Sequence, residues 1–386
     1  MRIGIDAGAL CSTANGISRS VRELALQLQK FDRVNDYYLY SRRDFDFPLE
    51  NPRWHKCLHP RVPYLLGNLY LRNGRTGRAG VGGLDVFWTP RTFSFPFGLS
   101  PAVGRLATVY DLAWLYYPET METRNRLGHQ LFAKRGIEHA HRIISISEST
   151  RRDLIDRLGV PPEKILVVHL GVADRFAPRA PIESARIIAD KYGTSTDYIC
   201  TVGTIEPRKN IVSLIKAVRI LRDRGQLRHQ LLVAGSSGWK NSDVYATVER
   251  CGLTEREVRF LGRVPEEDLP ELYSGASVFV FPSIYEGFGL PLVEAMACGT
   301  PVVASNTSSI PEVVHDAGIL VRPDRPEEFA DAIRRVVRDE ALRFELVRKG
   351  VRRARAFSWD VAARRVLSAL NTVAAARDGR ITAGGS

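Results

Sequence analysis

The sequence predicts an α/β protein built from two doubly wound, Rossmann-like domains facing a cleft. Three observations carry this. The chain opens with a short strand, a loop rich in Gly, Ser and Asn, and then a helix, which is the first unit of a doubly wound sheet. The same alternation restarts after residues 174–181, a stretch with two prolines and no hydrophobic periodicity. A length of 386 residues suits two or three ordinary domains.

The elements follow in order. Residues 2–6 read as the first strand, and Val21, Leu24, Leu28 and Phe31 recur at helical spacing behind it. Residues 84–88 and 106–109 read as buried strands. A helix over 131–141 leads into a strand at 142–146, and a helix at 149–158 and a strand at 165–170 complete a first domain, residues 1–175. The second domain, 176–356, begins with a strand at 198–202. Asn210 is placed to cap a helix that carries Ile211, Leu214, Ile215, Val218 and Leu221 on one face. Strands are expected at 231–234, 258–261, 278–281 and 301–304. A short helix at 291–298 has Pro291 in its first turn and Gly299 at its end. Arg-rich helices are expected over 326–356 and 359–376. The helix within 357–376 is expected to pack back on the N-terminal domain, and 377–386 to form a flexible tail.

Composition excludes several classes. Hydrophobic residues make up 44% and charged residues 25%, a globular mix rather than a disordered or fibrous one. No apolar run approaches the roughly 18 residues of a membrane span. Asp6 falls where a signal peptide needs its apolar region, and the five cysteines contain no C-x-x-C pair. Together these point to a cytoplasmic protein with reduced thiols. The net charge of +12 suits an anionic partner. Between residues 51 and 84 stand Arg53, Lys56, Arg61, Arg72, Arg75 and Arg78 with no acidic residue, interleaved with Trp54, Tyr64, Leu65, Leu66, Leu69, Tyr70 and Leu71. Two readings stay open for this segment, a patch resting on the anionic inner-membrane surface and a solvated basic face of a partly buried helix. No zinc finger or RNA-recognition signature is present, so nucleic acid is not expected as a partner.

The densest chemistry lies in Phe281-Pro282-Ser283-Ile284-Tyr285-Glu286-Gly287-Phe288-Gly289-Leu290-Pro291-Leu292-Val293-Glu294. A strand end is followed by a carboxylate, a Gly-x-Gly loop, and a helix N-terminus bearing a second carboxylate. Glycines let backbone approach a ligand, and a helix N-terminus favours phosphate. Two carboxylates beside a phosphate would repel it unless they bind hydroxyls, so the segment reads as a site for a phosphate flanked by polyols. Glu294, taken as lying in the first helical turn, also has a plain explanation as a complement to the helix dipole. A second constellation, Gly203-Thr204-Ile205-Glu206-Pro207-Arg208-Lys209-Asn210, puts two cations after the first strand of the second domain, where they can clamp a diphosphate. A third is the first-domain loop with Asn15, Gly16 and Ile17, which is not the G-x-G-x-x-G of a nicotinamide dehydrogenase. A fourth is Tyr110-Asp111 at a strand end, with a turn cap as its plain alternative. Asp44-Phe45-Asp46 lacks a preceding apolar strand and is discounted as a metal–nucleotide motif. No metal-binding His pair, P-loop or G-x-S-x-G is present.

Together these residues resemble the family 4 glycosyltransferases, retaining enzymes of the GT-B fold, over nearly the whole chain. The E-x7-E pattern from Glu286 to Glu294 carries the resemblance most specifically. The resemblance implies that Glu286 lies by the donor sugar, that Glu294 binds the nucleotide ribose, and that Gly287, Phe288, Gly289 and Leu290 offer backbone to sugar or diphosphate. It further implies that Gly203, Arg208 and Lys209 face the diphosphate, and that Asn15, Gly16 and Ile17 line the diphosphate and acceptor loop. Tyr110 and Asp111 fall where the family places catalytic groups. Two positions depart from the family pattern. Thr204 stands where many members carry Arg, and Arg208 is its replacement. Tyr110 stands where many carry His, which puts any role needing imidazole in doubt. Within the family, Asp111-Leu112-Ala113-Trp114, Ser147-Glu148-Ser149-Thr150 and Glu206-Pro207-Arg208-Lys209-Asn210 look most like bacterial mannosyl- and rhamnosyltransferases of O-antigen and exopolysaccharide assembly.

The implied reaction moves a hexose, mannose or D-rhamnose, from a GDP-linked donor to a polyprenyl-diphosphate-linked glycan, with no cofactor and no metal. The implied setting is the cytoplasmic face of the inner membrane. A UDP- or dTDP-sugar donor, an epimerase and a non-catalytic nucleotide-binding subunit are the competing expectations.

Overall fold

The computed structural model of the protein describes residues 1–12, 16–58, 83–91, 99, 101–120 and 133–377. Asn15, Tyr64 to Leu71, Arg61, Arg72, Arg75, Arg78 and the tail from residue 378 lie outside them. Among the described residues, thirteen strands and the helices between them form two compact units, each with its own parallel sheet. Among the described residues the first unit comprises 1–114, 133–171 and 359–377, and the second comprises 115–120 and 172–358. The division therefore falls at 171/172 and 358/359, beside the sequence expectation of 175/176 and 356/357.

In the first unit, β1 (Arg2–Asp6), β2 (Asp36–Ser41), β3 (Trp54–Leu58), β4 (Val86–Thr89), β5 (Gly104–Val109), β6 (Arg142–Ser145) and β7 (Ile165–Val167) align in the order β3-β2-β1-β4-β5-β6-β7. All neighbours are parallel, an arrangement that calls for helices on both faces; the central strand β4 is buried throughout, whereas the edge strand β3 leaves His55, Lys56 and Leu58 exposed. Helix Gly16–Phe31 covers one region with Val21, Leu24 and Leu28 buried, as its 3.6-residue spacing requires. The C-terminal helix Trp359–Arg377 belongs to this same unit. Its Arg364 guanidinium lies 4.5 Å from the Phe31 ring centroid, and Arg365 Nη1 donates to Val167 O at 2.9 Å.

Two strands here were not expected from the sequence. β2 is one. The other, β3, occupies the described part of the basic patch, so residues 54–58 form a strand and not the helix expected there. Trp54 is 3% exposed and stacks on Tyr37 with centroids 4.3 Å apart. Arg53 pairs with Asp36 at 3.1 Å and Lys56 with Asp44 at 2.7 Å. Sequence-distant carboxylates thus neutralise cations that look unopposed along the chain.

In the second unit, β8 (Tyr198–Val202), β9 (Gln230–Ala234), β10 (Val258–Gly262), β11 (Phe279–Phe281), β12 (Val302–Ser305) and β13 (Gly318–Val321) run in the order β10-β9-β8-β11-β12-β13. This is the doubly wound order, and it reverses between β8 and β11, where such sheets bind ligands outside the strand C-termini. Ile199, Leu231, Val233, Val280 and Val303 form the sheet's part of the core. Leu214, Val218 and Leu221 from helix Ile211–Asp223 and Phe329, Ile333 and Val336 from helix Pro326–Arg338 pack in the same core. The expected single helix over 326–356 is broken. Asp339 takes extended angles and its Oδ1 accepts from Leu342 N at 2.9 Å, starting a new helix, Glu340–Ala354. A capping carboxylate ends one helix and begins the next without any Gly or Pro to announce it.

Candidate functional site

The loops after β8 and β11 meet at the point where the strand order reverses. Ile284 N donates to Arg208 O at 2.9 Å, which stitches the two loops together. After β8 the chain passes Gly203 and makes a short 3-10 turn, Pro207–Lys209. Asn210 then takes left-handed angles, φ 53°. Its side chain does not cap the following helix, contrary to expectation. It donates instead to Pro282 O at 3.0 Å and to Pro323 O at 2.7 Å, so a local cap is given up for two cross-links between loops. The β8 turn is backed by Gly235, with φ 157°, where an added Cβ would come within 1.9 Å of Gly203 O.

After β11 the loop Pro282 to Gly289 leads into helix Leu290–Ala297. Gly289 provides the left-handed N-cap at φ 98°. Glu286 N donates to Ser308 Oγ at 2.9 Å. The single hydroxyl hydrogen of Ser309 is shared between Glu286 O, 2.9 Å from its Oγ, and Phe288 O, 3.1 Å away. The loop is thus held by two serines that follow β12. Gly287 and Leu290 are buried with it. The Phe288 ring packs edge-on against Phe357, centroids 5.4 Å apart, and so anchors the loop from inside.

Glu286, Arg208 and Lys209 form one cluster. Lys209 Nζ donates to Glu286 Oε1 at 2.5 Å, and Arg208 Nη1 lies 3.1 Å from Glu286 Oε2. Arg208 Nη1 also donates to Tyr285 O and Nη2 to Glu206 Oε1, both at 2.6 Å. Lys209 Nζ sits 5.1 Å from the centroid of the Phe281 ring. Glu286 is 8% exposed and Glu206 4%, so water screens these charges weakly. Burial alone would raise the Glu286 carboxyl. Lys209 and then Arg208 outweigh it and hold the carboxyl down to about 2. Tyr285 is buried against Tyr116 and Tyr117, with centroids 5.4 and 5.6 Å away.

Glu294 is 3% exposed, and its Oε2 accepts from Tyr273 Oη at 2.9 Å. It lies in the second turn of its helix, not the first. The macrodipole acts mainly on the first turn, so it gives little reason for a buried carboxylate there.

The first unit holds the other sequence candidates. Helix Gly16–Phe31 begins with Gly16 and Ile17, and Ser20 Oγ donates to Gly16 O at 2.7 Å. Tyr110 is 6% exposed. Burial pushes its phenol well above the ordinary range, with Ser20 beside it acting the other way. Thr150 Oγ1 donates to Tyr110 O at 3.3 Å. Asp111 Oδ1 accepts from Ala113 N at 3.0 Å, the turn-capping arrangement its sequence position allows.

Of the second-unit candidates, Arg208, Lys209 and Glu286 meet in one cluster, while Glu294 sits in the helix that follows their loop and pairs with Tyr273. Sequence reasoning missed four residues that support these candidates. Glu206, adjacent to the cations in the motif, carried a signal that could have been read. Ser308 and Ser309 carried none, because they arrive from a different strand. Tyr273, the partner of Glu294, likewise comes from a distant short helix.

Comparison with known proteins gives two family matches, Glycosyltransferase Family 4 over residues 14–176 and Glycosyl transferases group 1 over residues 188–354. The O-antigen chain mannosyltransferase B of Escherichia coli is 34% identical over 277 residues, which cover 72% of this chain and 71% of that protein. The serotype-specific mannosyltransferase WbdA of Escherichia coli is 31% identical over 224 residues, 58% of this chain and only 28% of that longer protein. Among solved structures, a sucrose-phosphate synthase from Thermosynechococcus elongatus matches with a TM-score of 0.75 at 23% identity, over 97% of this chain and 100% of that one, a likeness of fold. The E-x7-E loop, the cation pair, the two parallel sheets and the extent of the matches agree, and the chain belongs to the family 4 glycosyltransferases as a hexosyltransferase of the GT-B fold.

Proposed function

We propose that this hexosyltransferase moves mannose from GDP-mannose to a polyprenyl-diphosphate-linked saccharide in bacterial O-antigen assembly, with retention of configuration. The observation that carries the donor reading is the pair of half-buried cations, Arg208 and Lys209, at the strand-order reversal where the loop leading into helix Leu290–Ala297 begins. The choice of mannose is supported by the 34% identity to an O-antigen chain mannosyltransferase.

As the glycosidic bond breaks, the departing diphosphate gains charge. Arg208, Lys209 and the loop and helix N–H groups stabilise that charge in a weakly screened site, doing what a metal ion does in other transferases. Glu286 is held ionised and rigid by two cations, which suits orienting sugar hydroxyls better than giving up a proton. No side chain of this cluster is a free nucleophile, so the acceptor hydroxyl attacks from the face the diphosphate leaves. Glu294 takes the ribose hydroxyls. The lipid anchor of the acceptor brings the reaction to the cytoplasmic face of the inner membrane. Among the described residues no helix is long and apolar enough to cross a membrane.

The test is transfer from GDP-mannose to a polyprenyl-diphosphate-linked saccharide, with the anomeric configuration of the product read by NMR. Retained mannose is expected. Transfer from GDP-D-rhamnose, UDP- or dTDP-sugars instead keeps the reaction and changes the donor. An inverted product, or nucleotide binding without any transfer, overturns the proposal.

A further inference from the structure

Four charged side chains alternate in sign across the site, in the order Glu206, Arg208, Glu286, Lys209. Successive contacts measure 2.6, 3.1 and 2.5 Å. Their side chains are between 5% and 17% exposed, and their formal charges cancel.

A neutral, poorly hydrated cluster offers a bare polyanion little net attraction, because an anion drawn to the cations meets a carboxylate at a similar distance. Glu286 also spends one oxygen on each cation, and those are the positions that phosphate oxygens need. Once displaced, a buried carboxylate requires other hydrogen-bond donors. A sugar attached to the diphosphate brings hydroxyl donors with it. A free nucleoside diphosphate brings none once its terminal phosphate takes on a second negative charge near pH 6, like other phosphate monoesters.

We propose that Glu286 is a specificity determinant that separates the sugar-linked diphosphate from the bare nucleoside diphosphate left after transfer, so that the site favours its donor over its own product. This rests on the donor reading above. Glu286 opposes the product by charge and accepts the donor by hydrogen bonding, and the two effects separate on substitution. Glu286→Gln keeps the side chain's size and leaves the cluster with one net positive charge.

The experiment is a calorimetric titration of wild type and Glu286→Gln with GDP and with GDP-mannose, and with UDP and UDP-glucose in parallel. The nucleoside diphosphate that binds wild type is expected to bind the variant about tenfold more tightly, while its sugar nucleotide gains nothing. A second measurement needs only wild type, namely diphosphate affinity from pH 5.5 to 8. A neutral cluster with Glu286 at its centre predicts no gain in affinity as the terminal phosphate loses its last proton. Equal or weaker diphosphate binding by the variant, or a tenfold rise in wild-type affinity with pH, overturns the inference and leaves the donor site standing. Failure of every nucleotide to bind either protein overturns the donor reading and this inference with it.

Discussion

Lys209 Nζ lies 2.5 Å from Glu286 Oε1, although the two residues stand 77 positions apart in the chain. The contact joins the loop after β8 to the loop after β11 and puts a cation, already ion-paired, where a diphosphate is proposed to bind. Arg208 takes the other carboxylate oxygen and is steadied from behind by Glu206. Each charge in the row is thus positioned by its neighbour.

Glu206→Gln tests the support behind Arg208. The pair is nearly buried, and removing one partner of a buried pair leaves an uncompensated charge costing about 3–5 kcal/mol. Glutamine keeps the shape and one acceptor, so a loss of stability nearer about 2 kcal/mol is expected in urea unfolding. Turnover is expected to fall as well, because Arg208 loses one of its fixed contacts. A variant as stable and as active as wild type would show that Glu206 does not hold Arg208 in place.

The Glu286 carboxyl gives a signed pH dependence. Its folded value is depressed to about 2 from an ordinary 4.5. The stabilisation is therefore complete above about pH 4.5 and is lost as pH falls toward 2, because the unfolded chain takes up the proton first. The amount is of order 3 kcal/mol for a shift of this size. Unfolding free energies of wild type and Glu286→Gln measured from pH 6 down to pH 2.5 should converge as the pH drops. Parallel curves would show that Glu286 is not the group responsible.

Gly235→Ala probes the floor of the β8 turn. The new methyl carbon would lie 1.9 Å from Gly203 O, a backbone atom with no room to withdraw, at a φ of 157° that side chains rarely adopt. A loss of several kcal/mol is expected, beyond the roughly 1–3 kcal/mol of ordinary overpacking. It should appear as a sharply lowered melting temperature or insoluble protein. A melt within a few degrees of wild type would mean that the turn can shift freely.

Much of this architecture is legible in the sequence. The strands at 2–6 and 198–202 stand where the sequence places them, because their centres, Ile3 to Ile5 and Tyr198 to Cys200, are buried on both faces of a parallel sheet. The site motif is equally legible, since Gly289 and the E-x7-E spacing are local features. What could not be read is what depends on partners far along the chain. Asn210 looks like a helix cap but cross-links two loops. The basic residues of β3 look unopposed until Asp36 and Asp44 are brought beside them. Asp339 breaks a helix whose helical pattern runs through it. Ser308 and Ser309 enter the site from β12 with no motif of their own.

The most direct measurement of the central claim is the turnover of a sugar nucleotide by Lys209→Ala beside wild type, with Lys209→Arg as the charge-preserving control. If Lys209 stabilises the departing diphosphate, the alanine variant should lose about 100-fold or more in kcat, and arginine should restore part of it. Turnover by Lys209→Ala within twofold of wild type would contradict the account, because the pair of cations would then not be where the leaving charge develops.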